Sequence, residues 1–89
     1  MNKEVKTRGK NISKPSLEEK YYNKVIGTRI ELYRNNKNMT QNELAKLIDV
    51  SRVTITQIEA GRSMVSIYKL IRISKALDIS YVKILKSIV

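Results

Sequence analysis

The chain has 89 residues, no cysteine and no histidine, and 18 lysines and arginines stand against 8 acids for a formal charge of +10. That length bounds it to one small domain with a tail, and the missing residue types exclude a disulfide framework, thiolate chemistry and the commonest metal ligand and neutral-pH proton carrier. The charge points to a polyanionic partner, nucleic acid before an anionic membrane.

Residues 1–15 are polar and basic, contain Gly9 and Pro15, and show no hydrophobic period. They read as an arm, with Lys3, Lys6, Arg8, Lys10 and Lys14 available to phosphates or a minor groove if the arm has a role. Ser16 and Glu19 then form a capping-box pattern that predicts a helix from Leu17 to Asn36. Tyr22, Ile26, Ile30 and Tyr33 supply its core-facing series. Gly27 costs such a helix about 1 kcal/mol relative to alanine and is expected to mark a break within it. Tyr21, Tyr22 and Val25 need cover, which the domain's own surface is expected to provide, with a partner subunit as the alternative.

The next stretch, Thr40 to Arg62, predicts two short helices joined by a tight turn. Thr40 and Glu43 repeat the capping box, so a helix starts at Gln41, with Leu44, Ala45 and Ile48 on one apolar face. The helix must stop at Asp49, a residue that tolerates the left-handed backbone of a turn better than most. Ser51 caps a second helix, and Ile55 and Ile58 recur at its buried spacing. Arg52, Val53, Thr56 and Gln57 are left on the opposite face, and the i,i+4 pairs 52/56 and 53/57 form one stripe. On a protruding helix of a basic chain, such a stripe suits the DNA major groove.

Gly61 is expected to end this helix, with Arg62 in the following loop. Ser66 caps a fourth helix with Ile67, Leu70, Ile73 and Leu77 inward. Ser80 caps a fifth, Tyr81 to about Ile88, with Tyr81, Ile84 and Leu85 in the core. Val82, Ile88 and Val89 remain unassigned; apolar residues of this kind suit a subunit interface.

The segments T-Q-x-E-L-A, x-V-S-R, I-x-x-I-E-x-G-R and S-I-x-x-L-I-x-I-S-K-A-L-D-I-S resemble the Cro- and repressor-like, or XRE-like, helix-turn-helix family over roughly Ile26 to Leu85. The resemblance implies an all-α fold: a compact five-helix domain of the lambda-repressor-like type over residues 16–89, extended at its N-terminus and preceded by the 1–15 arm. It implies an ion pair between Arg34 and Glu59 that ties the first helix to the end of the recognition helix. It places Arg62 in a loop facing the phosphate backbone. Two residues depart from the family pattern: Asp49, where a glycine is usual, and Val65, where a proline is common. Val82 stands where relatives often carry an acid.

The function expected is sequence-specific binding of double-stranded DNA by a homodimeric transcriptional regulator, without cofactor or metal. Gln41, Ser51, Thr54, Arg62 and Lys37 would position the protein on phosphates. Arg52, Val53, Thr56 and Gln57 would read base edges. Val82, Ile88 and Val89 are the expected dimer contacts. By the resemblance, such a protein represses a mobile element, a phage, or a restriction–modification or toxin–antitoxin locus. The alternative is an antitoxin-type module that also binds a protein through residues 1–25. An enzyme is not expected, because no catalytic constellation can be assembled. Neither a membrane-spanning run nor a signal-peptide pattern is seen, so a cytoplasmic, nucleoid-associated protein of bacterial or phage origin is expected.

Overall fold

A hydroxyl side chain stands at the start of every helix. The structure, a computed structural model, describes residues 16–88, and the expected 1–15 arm and Val89 lie outside that range. Among the described residues five helices follow one another: α1 (Leu17–Asn36), α2 (Gln41–Leu47), α3 (Arg52–Glu59), α4 (Ile67–Ala76) and α5 (Tyr81–Leu85). Ser16, Thr40, Ser51, Ser66 and Ser80 occupy their N-caps in extended backbone, and each side chain accepts a first-turn amide. Both expected capping boxes, Ser16 with Glu19 and Thr40 with Glu43, are formed. Each cap satisfies an amide that the helix itself cannot, so five short-range signals fix where the helices begin.

Four helices also stop in one way. Asn38, Asp49, Gly61 and Asp78 follow α1 to α4 with φ of 55°, 59°, 76° and 57°. In each case the left-handed residue's amide bonds the carbonyl three residues back. The next amide bonds the carbonyl five back, as Val50 does to Ala45 and Arg62 to Gln57. This double bond at a left-handed residue is the Schellman closure, and it turns the chain sharply. Met39, Val50 and Ile79 come immediately after three of these turns and lie against the core.

The core is filled from all five helices: Ile30 of α1, Leu44 and Ala45 of α2, Ile55 and Ile58 of α3, Leu70 and Ile73 of α4, and Ile84 of α5, with Ile48 and Leu77 at the turns. Four sequence expectations are corrected here. Ile67 is 71% exposed and Tyr81 is 50% exposed, because each is the first residue of its helix and projects before the helix reaches the core. Tyr22 is exposed as well, and Tyr21 beside it stacks edge-on against its ring rather than under the domain's own surface. Gly27 does not break α1, which runs unbroken through 20 residues. Finally, α5 ends at Leu85 rather than near Ile88; Lys86 is extended and Ser87 has φ 68°. Arg29 of α1 donates to the Ile84 and Lys86 carbonyls at this end, closing it with a side chain 55 residues away in sequence.

Among the described residues, no helix is long and apolar enough to cross a membrane.

Candidate nucleic-acid interface

α3 projects its expected stripe because its other side is committed to the core. Ile55 and Ile58 are fully buried, and Glu59 is buried beside them. One turn away, Arg52 and Val53 are exposed, and Thr56 and Gln57 are half-exposed above them. Ser51 accepts the Thr54 amide at 3.2 Å and shares a 3.0 Å hydroxyl contact with Thr54. Ser51 and Thr54 are thus tied to each other at the helix start, with Ser51 exposed.

A chain of polar side chains runs behind the stripe. Arg34 Nε and Nη2 donate to the two Glu59 carboxylate oxygens at 2.7 and 2.9 Å, and the side chains are only 8% and 3% exposed. The expected pair is therefore formed, bidentate and out of water. Arg34 Nη1 also bonds the Met39 carbonyl at 2.6 Å, so the guanidinium holds the turn after α1 as well. The bond to Glu59 raises the Arg34 pKa further, helped by the charges of Glu59 and Glu31 and opposed by burial. Gln41 extends the chain: its amide nitrogen donates to Glu59 Oε1 at 2.9 Å, and its amide oxygen accepts the Thr56 hydroxyl at 2.9 Å. The Thr56 hydroxyl also contacts the Arg52 carbonyl at 3.1 Å.

These contacts change one expectation. The Gln41 side chain is not poised wholly outward toward a phosphate; it bridges α2 to α3, leaving one amide N–H unspent. The Thr56 hydroxyl is occupied by the Gln41 amide oxygen and the Arg52 carbonyl, which leaves its methyl for an external contact.

Beside α3 lies a groove lined by Val53, Thr54, Gln57, Ile58, Ser63, Met64 and Lys69. Lys69 is not among the contacts expected from sequence. The signal was present: it sits three residues after the Ser66 cap, on the turn nearest the loop, and Ser66 accepts its amide. Arg62 is exposed in that loop. Lys37 makes only a loose 3.8 Å contact with the exposed Asp78, an ion pair of little worth in water. Two other arginines are structural. Arg29 closes α5, and Arg72 lies over the Tyr68 ring at 5.7 Å while bonding the Leu47 carbonyl at the end of α2.

A helix-turn-helix family model, HTH_3, matches residues 30–84. The chain belongs to that family. As a member it is a DNA-binding transcription regulator of the XRE-like kind. Solved structures agree. The clp gene regulator ClgR of Corynebacterium glutamicum is 30% identical, with TM-score 0.71, over 72% of this chain and 68% of that one. The restriction–modification controller protein C.AhdI of Aeromonas hydrophila is 27% identical, with TM-score 0.68, over 70% and 94%. An HTH_3 transcriptional regulator of Vibrio cholerae, 24% identical with TM-score 0.70 over 75% and 38%, shares the fold. None of the curated proteins matches.

The two departures from the family pattern are accommodated locally. Asp49 takes the left-handed backbone and keeps both Schellman bonds, Asp49 to Lys46 and Val50 to Ala45. Val65 is half-buried against the core. Of the expected dimer contacts, Val82 is 55% exposed and Ile88 half-buried. Tyr81, Val82, Leu85 and Lys86 line one shallow, largely apolar depression.

Proposed function

We propose that this regulator binds duplex DNA sequence-specifically as a homodimer and represses a mobile element, a phage, or a restriction–modification or toxin–antitoxin locus. Residues 51–59 enter the major groove. Arg52 donates two bonds to guanine, Gln57 pairs bidentately with adenine, and Val53 and the Thr56 methyl meet thymine methyls. Ser51, Thr54, Arg62, Lys37, Lys69 and the remaining N–H of Gln41 hold phosphates, which orients the domain without reading sequence. The observation that carries this reading is the exposed pair Arg52 and Val53, with Thr56 and Gln57 above them, on a helix whose opposite face is sealed in the core. The likeness to C.AhdI supports the assignment to a small regulator of a restriction–modification or similar locus. Dimerisation through α5 draws on the exposed Val82 and the apolar depression around it.

The test is selection from random duplex DNA with the full chain. Two half-sites about 34 Å apart are expected among the recovered sequences. Recovery of no enriched sequence would remove the sequence-reading role.

A second reading is a protein partner docked on residues 1–25. Leu17 is 85% exposed and Tyr21 60% exposed on the first turns of α1, away from the core. A partner co-purifying with the intact chain and released on Tyr21→Ser would favour it.

A further inference from the structure

We infer that Gly27 is a specificity-determining position: it is the notch in α1 that aims the recognition helix, although it touches no DNA-facing side chain. The inference rests on the DNA-reading role proposed for α3.

Gly27 is buried in the middle of α1. Glycine is the poorest residue for a helix interior after proline, so its presence there calls for a compensating contact. That contact is the last turn of α3. A Cβ on Gly27 would lie 2.1 Å from the Ile58 carbonyl oxygen and 3.0 Å from that of Glu59. The approach is reciprocal one turn earlier on α1, where a Cβ on Gly61 would lie 2.8 Å from the Lys24 Cα. Lys24, Gly27 and Arg34 fall on one stripe of α1, since they are spaced i, i+3 and i+10. The stripe therefore grips the same end of α3 twice. Two glycines let the backbones touch, and the bidentate Arg34–Glu59 pair fixes the rotation.

The atoms that meet Gly27 are backbone carbonyl oxygens, not the tips of side chains that can swing aside. Adding a methyl group must part the backbones of α1 and α3, by about 1 Å to bring the 2.1 Å approach to a tolerable contact, and so change how α3 is seated. α3 has eight residues, so it is only about 12 Å long, and a shift at its last turn reaches Arg52 to Gln57 undamped. Hydrogen bonds to base edges hold over about 2.7–3.2 Å and fail with a displacement of that size. Lys37 and Lys69 lie outside α3 and hold phosphates as point charges on flexible stems, so their contacts survive the shift on any duplex.

Gly27→Ala therefore separates the two kinds of binding. The experiment measures equilibrium binding of the full chain to the selected duplex and to a scrambled duplex at one salt concentration, with circular dichroism and thermal melting to establish folding. The ratio of the two affinities does not depend on the fraction of active protein. We expect it to fall at least about ten-fold in the variant while scrambled-duplex affinity stays within about two-fold of wild type. A variant that keeps the wild-type ratio, or loses both affinities by one factor, overturns the inference. Should Gly27→Ala not fold, Arg34→Lys serves: it keeps the charge but gives up the two-point hold on Glu59, and the same fall in ratio is expected. An unchanged ratio in a folded Arg34→Lys protein overturns the inference equally. If the wild type prefers no duplex over its scramble, the DNA-reading role fails first and the inference with it, which is a different result from a wild-type preference that Gly27→Ala retains.

Discussion

Arg34 holds both carboxylate oxygens of Glu59, at 2.7 and 2.9 Å, from a helix separated from the recognition helix by the whole of α2. Because both groups are almost out of water, removing one strands the other. Arg34→Met should cost about 3–5 kcal/mol of folding stability, and the double variant Arg34→Met with Glu59→Leu much less than the two single costs together. Urea denaturation of the three variants reads this directly; single and double losses that simply add would contradict it.

The same pair makes a pH prediction. The folded state raises the Arg34 pKa, chiefly through the bond to Glu59. A cation whose pKa is raised on folding contributes stability that is fully present below its unfolded pKa and is lost only as pH rises through the folded value. Both lie at the alkaline extreme for an arginine. The drop in Tm caused by Arg34→Met should therefore be the same at pH 7 and pH 10. A drop that shrinks between them would contradict this assignment.

Asp49 makes the turn at a cost that glycine would avoid, since its φ is 59°. Asp49→Gly is expected to stabilise the domain by about 0.5–1 kcal/mol, and Asp49→Val to destabilise it by more, because a β-branched side chain fits this backbone worst. Chemical denaturation gives both signs. Equal effects from the two substitutions would mean that the turn relaxes.

Much of this architecture is legible in the chain because the signals are short-range. Ser16, Thr40, Ser51, Ser66 and Ser80 each cap a helix within three residues of themselves, and α1, α2 and α3 begin and end near where their caps and left-handed residues predict. The stripe of Arg52, Val53, Thr56 and Gln57 follows from the period of Ile55 and Ile58. What fails needs contacts between distant segments. Periodicity assigns Ile67 and Tyr81 to the core, but it does not register that a first-turn residue projects beyond the neighbouring helix. Gly27 reads as a weak point until α3 is laid across it. Arg29 and Arg72 read as spare positive charge until the ends of α5 and α2 lie beside them. Gln41 reads as a phosphate donor alone until Glu59 and Thr56 come within reach of its amide and take one N–H and the oxygen.

Thr56 offers its methyl rather than its hydroxyl, which Gln41 and the Arg52 carbonyl hold at 2.9 and 3.1 Å. Thr56→Val keeps that methyl. It should leave the preferred base opposite residue 56 unchanged and cost about 1 kcal/mol of folding stability, because the half-buried Gln41 oxygen loses its donor. Binding to duplexes varied at single positions checks this; a changed base preference would show that the hydroxyl reads DNA.

Lys69 and Lys37 should act alike on every sequence. Replacing either with alanine is expected to weaken specific and scrambled duplexes by similar factors. The slope of log affinity against log salt should fall in magnitude by about 1 for each phosphate left without its lysine. Salt titrations of wild type and variants give that slope. A substitution that changes base preference while leaving the slope alone would move the lysine from the phosphates to the reading face.

The most direct measurement repeats the selection from random duplex DNA with Arg52→Ala beside the wild type. If α3 reads the major groove through its exposed face, one base position in each half-site loses its preference, by about 1–3 kcal/mol, while the other positions and the half-site spacing persist. Recovery of the wild-type site at full strength by the variant would contradict that claim.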